Sequence, residues 1–316
     1  MNNPRSHVTT RLLQRRSRAL RRHLPGAVSG DDHGVHQARV ATRRLREALP
    51  VLTTGLKHSK SGKARRKVRR LTRALGTVRE LDVTVVLLDE LTRKGMLPRT
   101  ALEEVRAHVM TERDRRRAVM LERLDRVNTG KLGRRLAAVA EGLEKSRSEA
   151  WRGILSARLL KRARRLAAAV DAAGAMYAAE RLHEVRIAAK KLRYGLELAT
   201  DGGIKAAAPL LRPIKRTQDL LGRLHDLQVL QSHVAAVQSG PAAARPGMHA
   251  GLDTLGRHIE DECRHLHGRY LMSAGAIHEV CELIRSKVVP GMEKPRARRP
   301  LKMALRRKGV AAAAGR

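Results

Sequence analysis

The chain has 316 residues, 42% of them hydrophobic, and 67 lysines and arginines against 30 aspartates and glutamates give a formal net charge of +37. With no phenylalanine, one tryptophan and three tyrosines, it lacks the aromatic platforms that stack single-stranded bases or read RNA on a sheet. Two cysteines exclude a disulfide framework, and we recognise no signal peptide or 18-residue apolar span, so we expect a protein of the cytoplasm that contacts no membrane.

Composition also predicts the fold class and the kind of partner. Leucine, alanine, arginine and glutamate favour helix, and no alternating strand pattern is evident, so we predict an all-α protein of one large domain or two smaller ones. The positive charge is spread along the chain, and such an excess attracts polyanions by displacing their condensed counterions. Arginine and lysine suit phosphate especially well. A polyanionic partner is therefore expected.

The first predicted element is an amphipathic helix with an arginine-rich stripe at residues 5–23. Pro25 and Gly26 are expected to end it. Asp31 or Asp32 can cap the helix that follows.

That next helix, at residues 35–52 (VHQARVATRRLREALPVL), carries cations on one side and apolar residues on the other. His36, Arg39, Arg43 and Arg46 fall within an arc of about 80° at helical spacing. A basic face of this kind is often only a solvated surface. Its sequence alone therefore leaves a binding role open.

The same pattern returns at residues 182–199 (LHEVRIAAKKLRYGLELA). The matched pairs, 147 positions apart, are His36 with His183, Arg39 with Arg186, Arg43 with Lys190, Arg44 with Lys191 and Arg46 with Arg193. Random surface charge has no reason to keep its spacing and its histidine in two copies that are free to diverge. We therefore interpret the two basic faces as functional. No cap comparable to that of the first copy precedes the second.

A third repeated stretch follows a linker at about residues 55–62. Residues 63–91 match residues 213–234 at an offset of 146, which pairs Gly76 with Gly222 and Glu80 with Asp226. The two glycines are expected to mark a helix break or a close helix contact. A repeat across three consecutive helices indicates two halves, at about 1–147 and 148–290.

The remaining segments are predicted as further helices, one loop and a tail. The helices are expected at about 99–126, 130–147, 248–271 and 275–288, with a loop at 239–247. Residues 291–316 are basic and broken by proline, so we expect a disordered tail that adds nonspecific affinity for anions.

Two sets of residues are candidate metal sites. Cys263, His267, His278 and Cys281 have spacings that two helices could turn into a zinc site, but there is no CxxC motif, and ordinary surface histidines and packed thiols are the favoured interpretation. The carboxylates Glu80, Asp82, Asp89 and Asp226 could hold a metal for phosphoryl chemistry, but they sit among arginines and are better interpreted as their ion-pair partners. No P-loop or other catalytic motif is present. We expect no metal, no cofactor and no catalytic site.

The repeated motifs resemble those of a known family. They are His-x-x-Arg-Val-x-x-Arg-Arg-Leu-Arg at 36–46, His-x-x-Arg-Ile-x-x-Lys-Lys-Leu-Arg at 183–193, and Leu-Gly-x-x-Arg-Glu-Leu-Asp at 75–82, and together they resemble the conserved-histidine α-helical (CHAD) domain over most of residues 5–288. The resemblance implies two four-helix-bundle-like halves related by a pseudo-twofold axis around a central basic groove. It also implies binding of inorganic polyphosphate there and association with polyphosphate granules.

Carried over position by position, the resemblance implies a set of polyphosphate-binding residues. They are His36, Arg39, Arg43, Arg44, Arg46, His183, Arg186, Lys190, Lys191 and Arg193, with Arg69, Arg79 and Lys215 as flanking candidates. The chain departs from the family pattern at Glu80, where aspartate is common, and at His225, where a polar amide is frequent. The Glu-x-Glu-x-Lys motif of the triphosphate-hydrolysing domain found in many relatives is absent, so enzymatic turnover is not implied.

Two other classes of function remain open at this stage. The net charge would equally support a protein that binds nucleic acid nonspecifically, and a phosphohydrolase or kinase acting on polyphosphate would need a metal site that the sequence does not assemble. The sequence leaves open the oligomeric state, the preferred chain length, and whether the protein stores, targets or senses the polymer.

Overall fold

The computed structural model describes residues 7–56, 58–76 and 78–293. These residues form helices and no strand, which confirms the all-α prediction. The helices are α1 (Val8–Ser29), α2 (Asp32–Leu52), α3 (His58–Ala74), α4 (Arg79–Lys94), α5 (Arg99–Asp125), α6 (Thr129–Ser146), α7 (Trp151–Ala173), α8 (Ala179–Asp201), α9 (Leu211–Gln238), α10 (Met248–Leu283) and α11 (Val289–Glu293). Two 3₁₀ turns, Lys205–Ala207 and Pro241–Ala244, flank α9, and a π-helical turn, Ile284–Val288, joins α10 to α11.

Helix α1 is longer than predicted because Pro25 lies inside it. A proline removes one backbone donor, but the helix continues for another turn and ends at Gly30, whose φ of +82° is the left-handed conformation that glycine adopts without strain. The predicted cap of α2 is confirmed, since the Asp31 carboxylate accepts from the Gly34 amide at 2.6 Å. A Cβ on Gly34 would lie 2.6 Å from the backbone of Gly26. Helices α1 and α2 therefore pack backbone to backbone at this point.

The second pair of repeated helices, α7 and α8, also packs closely, but here side chains of α7 lie against glycines in or just after α8. Trp151, the largest fully buried side chain, lies against Gly202, where an added Cβ would be 2.6 Å from the indole ring. Leu159 similarly occupies the space above Gly195. The uncapped start of α8 is as expected, because Ala178 precedes it and makes no side-chain cap. The rest of the core is almost entirely leucine, valine and alanine.

The third repeated stretch folds differently in its two copies. Gly76 follows the end of α3 and separates it from α4, as predicted. Gly222 instead lies in the middle of the continuous helix α9 with open space around it, so the predicted break or close contact there is wrong. A glycine costs a helix only about 1 kcal/mol, and the buried leucines Leu221, Leu224 and Leu227 of α9 outweigh that cost.

Other segment boundaries also differ from those predicted. Helix α3 begins at His58, inside the predicted linker, and α10 runs unbroken through the point at which two helices were expected. The predicted loop at 239–247 contains a 3₁₀ turn. Most of the predicted tail, residues 294–316, lies outside the described residues. Within the described ranges, none of the helices is both long enough and apolar enough to cross a bilayer.

Helices of the first half of the sequence contact helices of the second half. Helix α2 contacts α7 and α8, and α9 contacts α4 and α5. Ion pairs add to these contacts, with Arg16 of α1 bonded to Asp201 of α8 at 2.8 Å and Arg223 of α9 bonded to Glu90 of α4 at 2.8 Å. This arrangement brings α2, α4, α8 and α9 together around one group of charged side chains.

Candidate functional site

The basic faces of the two repeated helices approach each other, and α4 and α9 complete the surroundings. We call the resulting group the central cluster. It consists of seven predicted site residues whose charges perturb one another across the helices: His36, Arg39, Arg43, Arg79, His183, Arg186 and Lys190. Because its arginines and lysine repel one another, the cluster is held together chiefly by the packing of the helices beneath it.

Burial and like charge together weaken the cations of the central cluster. Burial, followed by the charges of Arg186 and Arg43, lowers the pKa of Lys190 to about 7. Burial, followed by Arg43 and Arg79, lowers the pKa of Arg39 to about 10. The pKa of Arg186 is lowered chiefly by burial. An anion that entered the cluster would reverse the Coulomb part of these shifts.

Buried donors in the cluster lack protein partners. Among the described residues, Arg39 Nε and His36 Nδ1 are buried and find no hydrogen-bond partner. Such groups normally cost about 1–3 kcal/mol when unsatisfied. A ligand that accepts hydrogen bonds would remove this cost.

The two histidines are electrostatically similar. Burial, then Arg79 and Arg39, lowers the pKa of His36, and burial, then His225 and Arg186, lowers that of His183. Both imidazoles are therefore neutral at pH 7 in the free protein and become better donors when an anion is bound.

The two departures from the family pattern lie side by side at the edge of the cluster. Glu80 Oε1 on α4 is 3.7 Å from His225 Nε2 on α9, and this imidazole is the main cause of the lowered pKa of Glu80. The ring of His225 lies 5.0 Å from that of His183, centroid to centroid. The next residue on α9, Asp226, is half-buried near Arg186, and this partial burial raises the pKa of its carboxyl. Carboxylates thus border the cluster but do not neutralise it.

Three predicted residues are held by carboxylates at or beyond the margin of the cluster. Arg44 Nε lies 3.0 Å from Glu197, and Arg193 Nη1 lies 3.4 Å from the same carboxylate, although Arg193 still perturbs Lys190. Arg46 pairs with Glu47 at 3.6 Å.

The other three predicted residues lie elsewhere. Lys191 lines a separate pocket between α7 and α8. Arg69 is exposed on α3, and Lys215 is exposed on α9 beside Asp219 at 3.7 Å. The structure therefore brings together seven of the thirteen predicted residues.

The residues weighed as metal ligands make other contacts. Asp82 accepts from Arg113 at 2.8 Å and Asp89 from Arg106 at 2.9 Å, as expected of ion-pair partners. Burial raises the pKa of the Cys281 thiol to about 11, and His278 lies 3.1 Å from Asp171. Across the described ranges, no three histidine, cysteine or acidic side chains are grouped as metal ligands would be.

Two neighbours of the cluster, His225 and Asp226, were not among the predicted binding residues. The signal that could have found them is the offset of 146, which pairs Arg79 with His225 and Glu80 with Asp226. The predicted flanking residue Arg79 thus has its repeat counterpart beside His183.

The fold and the cluster together define a class: all-helical proteins in which the basic faces of two repeated helices approach each other. A family model described as CHAD domain matches residues 11–235, which include both repeated helices. The chain belongs to the CHAD domain family.

Solved structures share this fold. The CHAD domain from the plant Ricinus communis is 22% identical, with a TM-score of 0.53 over 88% of this chain and 91% of that one. A structure described as PptA from Streptomyces chartreusis is 15% identical, with a TM-score of 0.53 over 85% of this chain and 99% of that one. No curated protein matches the chain.

Proposed function

We propose that this protein binds inorganic polyphosphate in the central cluster without turning it over, and that it associates with polyphosphate granules in the cytoplasm. The observation that carries the proposal is the excess of positive charge around Arg39 and Lys190, which are half-buried and whose strongest electrostatic neighbours are other cations. A chain of linked phosphates supplies one negative charge per unit at close spacing. Such a row of negative charges would neutralise the closely spaced cations of the central cluster.

The chemistry of the cluster suits phosphate oxygens. Guanidinium groups such as those of Arg43 and Arg186 donate in pairs to two oxygens of one phosphate, whereas Lys190 acts as a point charge. The unpartnered Nε of Arg39 and Nδ1 of His36 are donors when each carries a proton. Binding would also release counterions condensed on the polymer.

Nonspecific binding of nucleic acid is the second candidate, and the net charge of +37 is the observation that favours it. Its attraction would be distributed over the whole surface, whereas the proposed site is confined to one cluster. The absence of turnover is supported by the commitment of Asp82 and Asp89 to arginines. Release of orthophosphate in the presence of Mg²⁺ or Mn²⁺ would contradict that part of the proposal.

The decisive experiment compares long-chain polyphosphate with duplex and single-stranded DNA over a salt series. In the test variant, Arg39, Arg43, Arg186 and Lys190 are replaced by alanine. In the control variant, four exposed cations of α3 are replaced, Lys63, Arg66, Arg70 and Arg73, so that both variants lose four basic side chains.

We expect the test variant to lose at least about 100-fold in polyphosphate affinity, because several charge-assisted hydrogen bonds are removed. The control should lose little, and both should bind DNA with the same reduced affinity. Equal losses for every polymer in both variants would show that diffuse charge explains binding and would overturn the proposal.

A further inference from the structure

A second basic pocket, which we call the flank pocket, lies between α7, α8 and the end of α2 and has a volume of about 770 Å³. Its charged lining consists of five cations, Arg158, Lys161, Arg162, Arg165 and Lys191, and two carboxylates, Glu47 and Glu184. None of the five belongs to the central cluster.

The two carboxylates already have partners. Glu47 is bonded by Arg162 and lies 3.6 Å from Arg46, and Glu184 lies 3.4 Å from Arg181. In the part of the chain that the structure describes, the side chains of Arg158, Lys161, Arg165 and Lys191 form neither a hydrogen bond nor an ion pair. Four cations of the flank pocket therefore have no bonded partner, and of these Arg158 feels the charge of Glu47 only at longer range.

The flank pocket has a fixed wall. The side chain of Arg162 is only 17% exposed, and it donates to the backbone carbonyl of Lys191 at 2.7 Å and also to Glu47. One guanidinium thus ties α7 to both α8 and α2. Beside it, burial and then the charge of Arg162 lower the pKa of Arg158.

The repeat provides an internal comparison. At the positions 147 residues earlier, Lys161 corresponds to Gln14, Arg162 to Arg15 and Lys191 to Arg44. Arg15 bonds Asp201 at 2.9 Å and Arg44 bonds Glu197 at 3.0 Å. Arg15 and Arg162 are thus both paired, and the copies differ at the other two positions: the second copy has Lys161 in place of Gln14, and it leaves Lys191 unpaired where Arg44 is paired.

The lining indicates which anion fits. The uncharged wall consists of Ile187, Ala169 and Ala188, and no aromatic side chain is available to stack a base. A bare phosphate chain therefore suits the flank pocket better than a nucleotide does. Lys191 follows Lys190 of the central cluster directly, about 100° further around α8, so both sites are within reach of one polymer.

We propose that the flank pocket is a second phosphate-chain site, and that a long polyphosphate occupies it together with the central cluster. The proposal of a second site is argued from the flank pocket alone, whereas the proposal that one polymer occupies both sites rests on the proposed function. Linking two sites through one chain raises affinity without any new contact. Affinity should consequently increase with chain length more steeply than a single site allows.

The first test is calorimetric titration with tripolyphosphate, a chain too short to link distant sites. Replacement of Lys161 and Arg165 by glutamine removes two exposed cations of the flank pocket, and replacement of Arg66 and Arg70 by glutamine on α3 is the charge-matched control. We expect the flank variant to bind one molecule fewer than the wild type and the control to bind as many.

A cluster variant, with Arg43 and Lys190 replaced by glutamine, separates the two proposals. If it loses one bound molecule while the flank variant loses none, the flank site is overturned and the proposed function stands. If the flank variant loses one bound molecule while the cluster variant loses none, the proposed function is contradicted and the flank site is retained.

ATP is the comparison ligand. Binding of ATP in the flank pocket as tightly as tripolyphosphate would overturn the preference for a bare phosphate chain.

The second test uses long-chain polyphosphate. The flank variant should bind it about tenfold more weakly than the α3 control at equal salt, since avidity from linked sites commonly exceeds that factor. The loss should shrink as the chain is shortened. An equal loss for short and long chains would show that one polymer does not link the two sites.

Discussion

Buried cations serve two different purposes in this molecule. Where α1 meets the end of α8, Arg16 is 7% exposed and bonds Asp201 at 2.8 Å, with Arg15 on the same carboxylate. In the central cluster, Lys190 is half-buried among arginines and has no carboxylate partner within the described residues. The first group is a structural junction, and the second is available to a ligand. Residue type does not distinguish them, but counter-charge does.

The difference has an energetic basis. A buried pair that loses one partner leaves an uncompensated charge and is strongly destabilised. A buried cation with no partner already carries that cost in the free protein, and an anionic ligand relieves it. Stability and binding should therefore respond in opposite directions to mutations in the two regions.

The junction gives the largest expected change in stability. Asp201→Asn should lower the free energy of unfolding by about 2 kcal/mol, because Arg16 would remain buried without a counter-charge. Polyphosphate affinity should stay within about twofold of wild type. Chemical denaturation and calorimetric titration measure the two quantities, and Asp219→Asn, at an exposed i,i+4 pair with Lys215, is the matched control. A stable variant with impaired binding would reverse our assignment of the junction.

The central cluster should show the opposite response. Lys190→Met keeps the length of the side chain and removes a repelled charge, so we expect about 1 kcal/mol of added stability and about tenfold weaker polyphosphate binding. The lowered pKa of Lys190 means that the unfolded chain holds its proton more tightly than the folded one at pH above 7. Wild-type stability should therefore rise between about pH 7 and pH 9 relative to the variant.

Lys191→Met, at the neighbouring exposed residue, is the control for that measurement. It removes the same charge without the burial, so its stability should follow that of the wild type across the pH range. Destabilisation of the Lys190→Met protein would mean that the lysine is needed for packing, contrary to our interpretation.

The helices and the basic faces that form the central cluster could be predicted from local sequence patterns. Helical spacing places Arg39 and Arg43 on one face and predicts the same face for Arg186 and Lys190, and the cap at Asp31 follows from residue type. These features depend on neighbours three or four positions away. They could be predicted for that reason.

What could not be predicted depends on residues far apart in the chain. Nothing near Arg44 in the sequence indicates that Glu197 will neutralise it, and the carboxylate of Asp201 reaches Arg16 only through tertiary packing. Lys190 and Lys191 look equivalent as a dipeptide, yet they face different sites. The continuation of α1 through Pro25 likewise reflects its packing against α2 rather than local propensity.

The smallest expected effect is a pH dependence with two separable parts. Phosphate raises the pKa of every cation beside it, so the complex holds more protons than the free protein and affinity rises as pH falls. Lys190, whose pKa is about 7 in the free protein, accounts for the change above neutrality, and His36 and His183, whose pKa values are lowered, account for the change below it. We expect an increase of a few-fold in affinity from about pH 9 to pH 7 and a similar one from about pH 7 to pH 6.

Lys190→Met should remove only the increase between pH 9 and pH 7, and the combination of His36→Gln with His183→Gln should remove only the increase between pH 7 and pH 6. Calorimetry in buffers of different ionisation enthalpy counts the protons directly, and a binding reaction that takes up none would show that these side chains do not contact the phosphate chain.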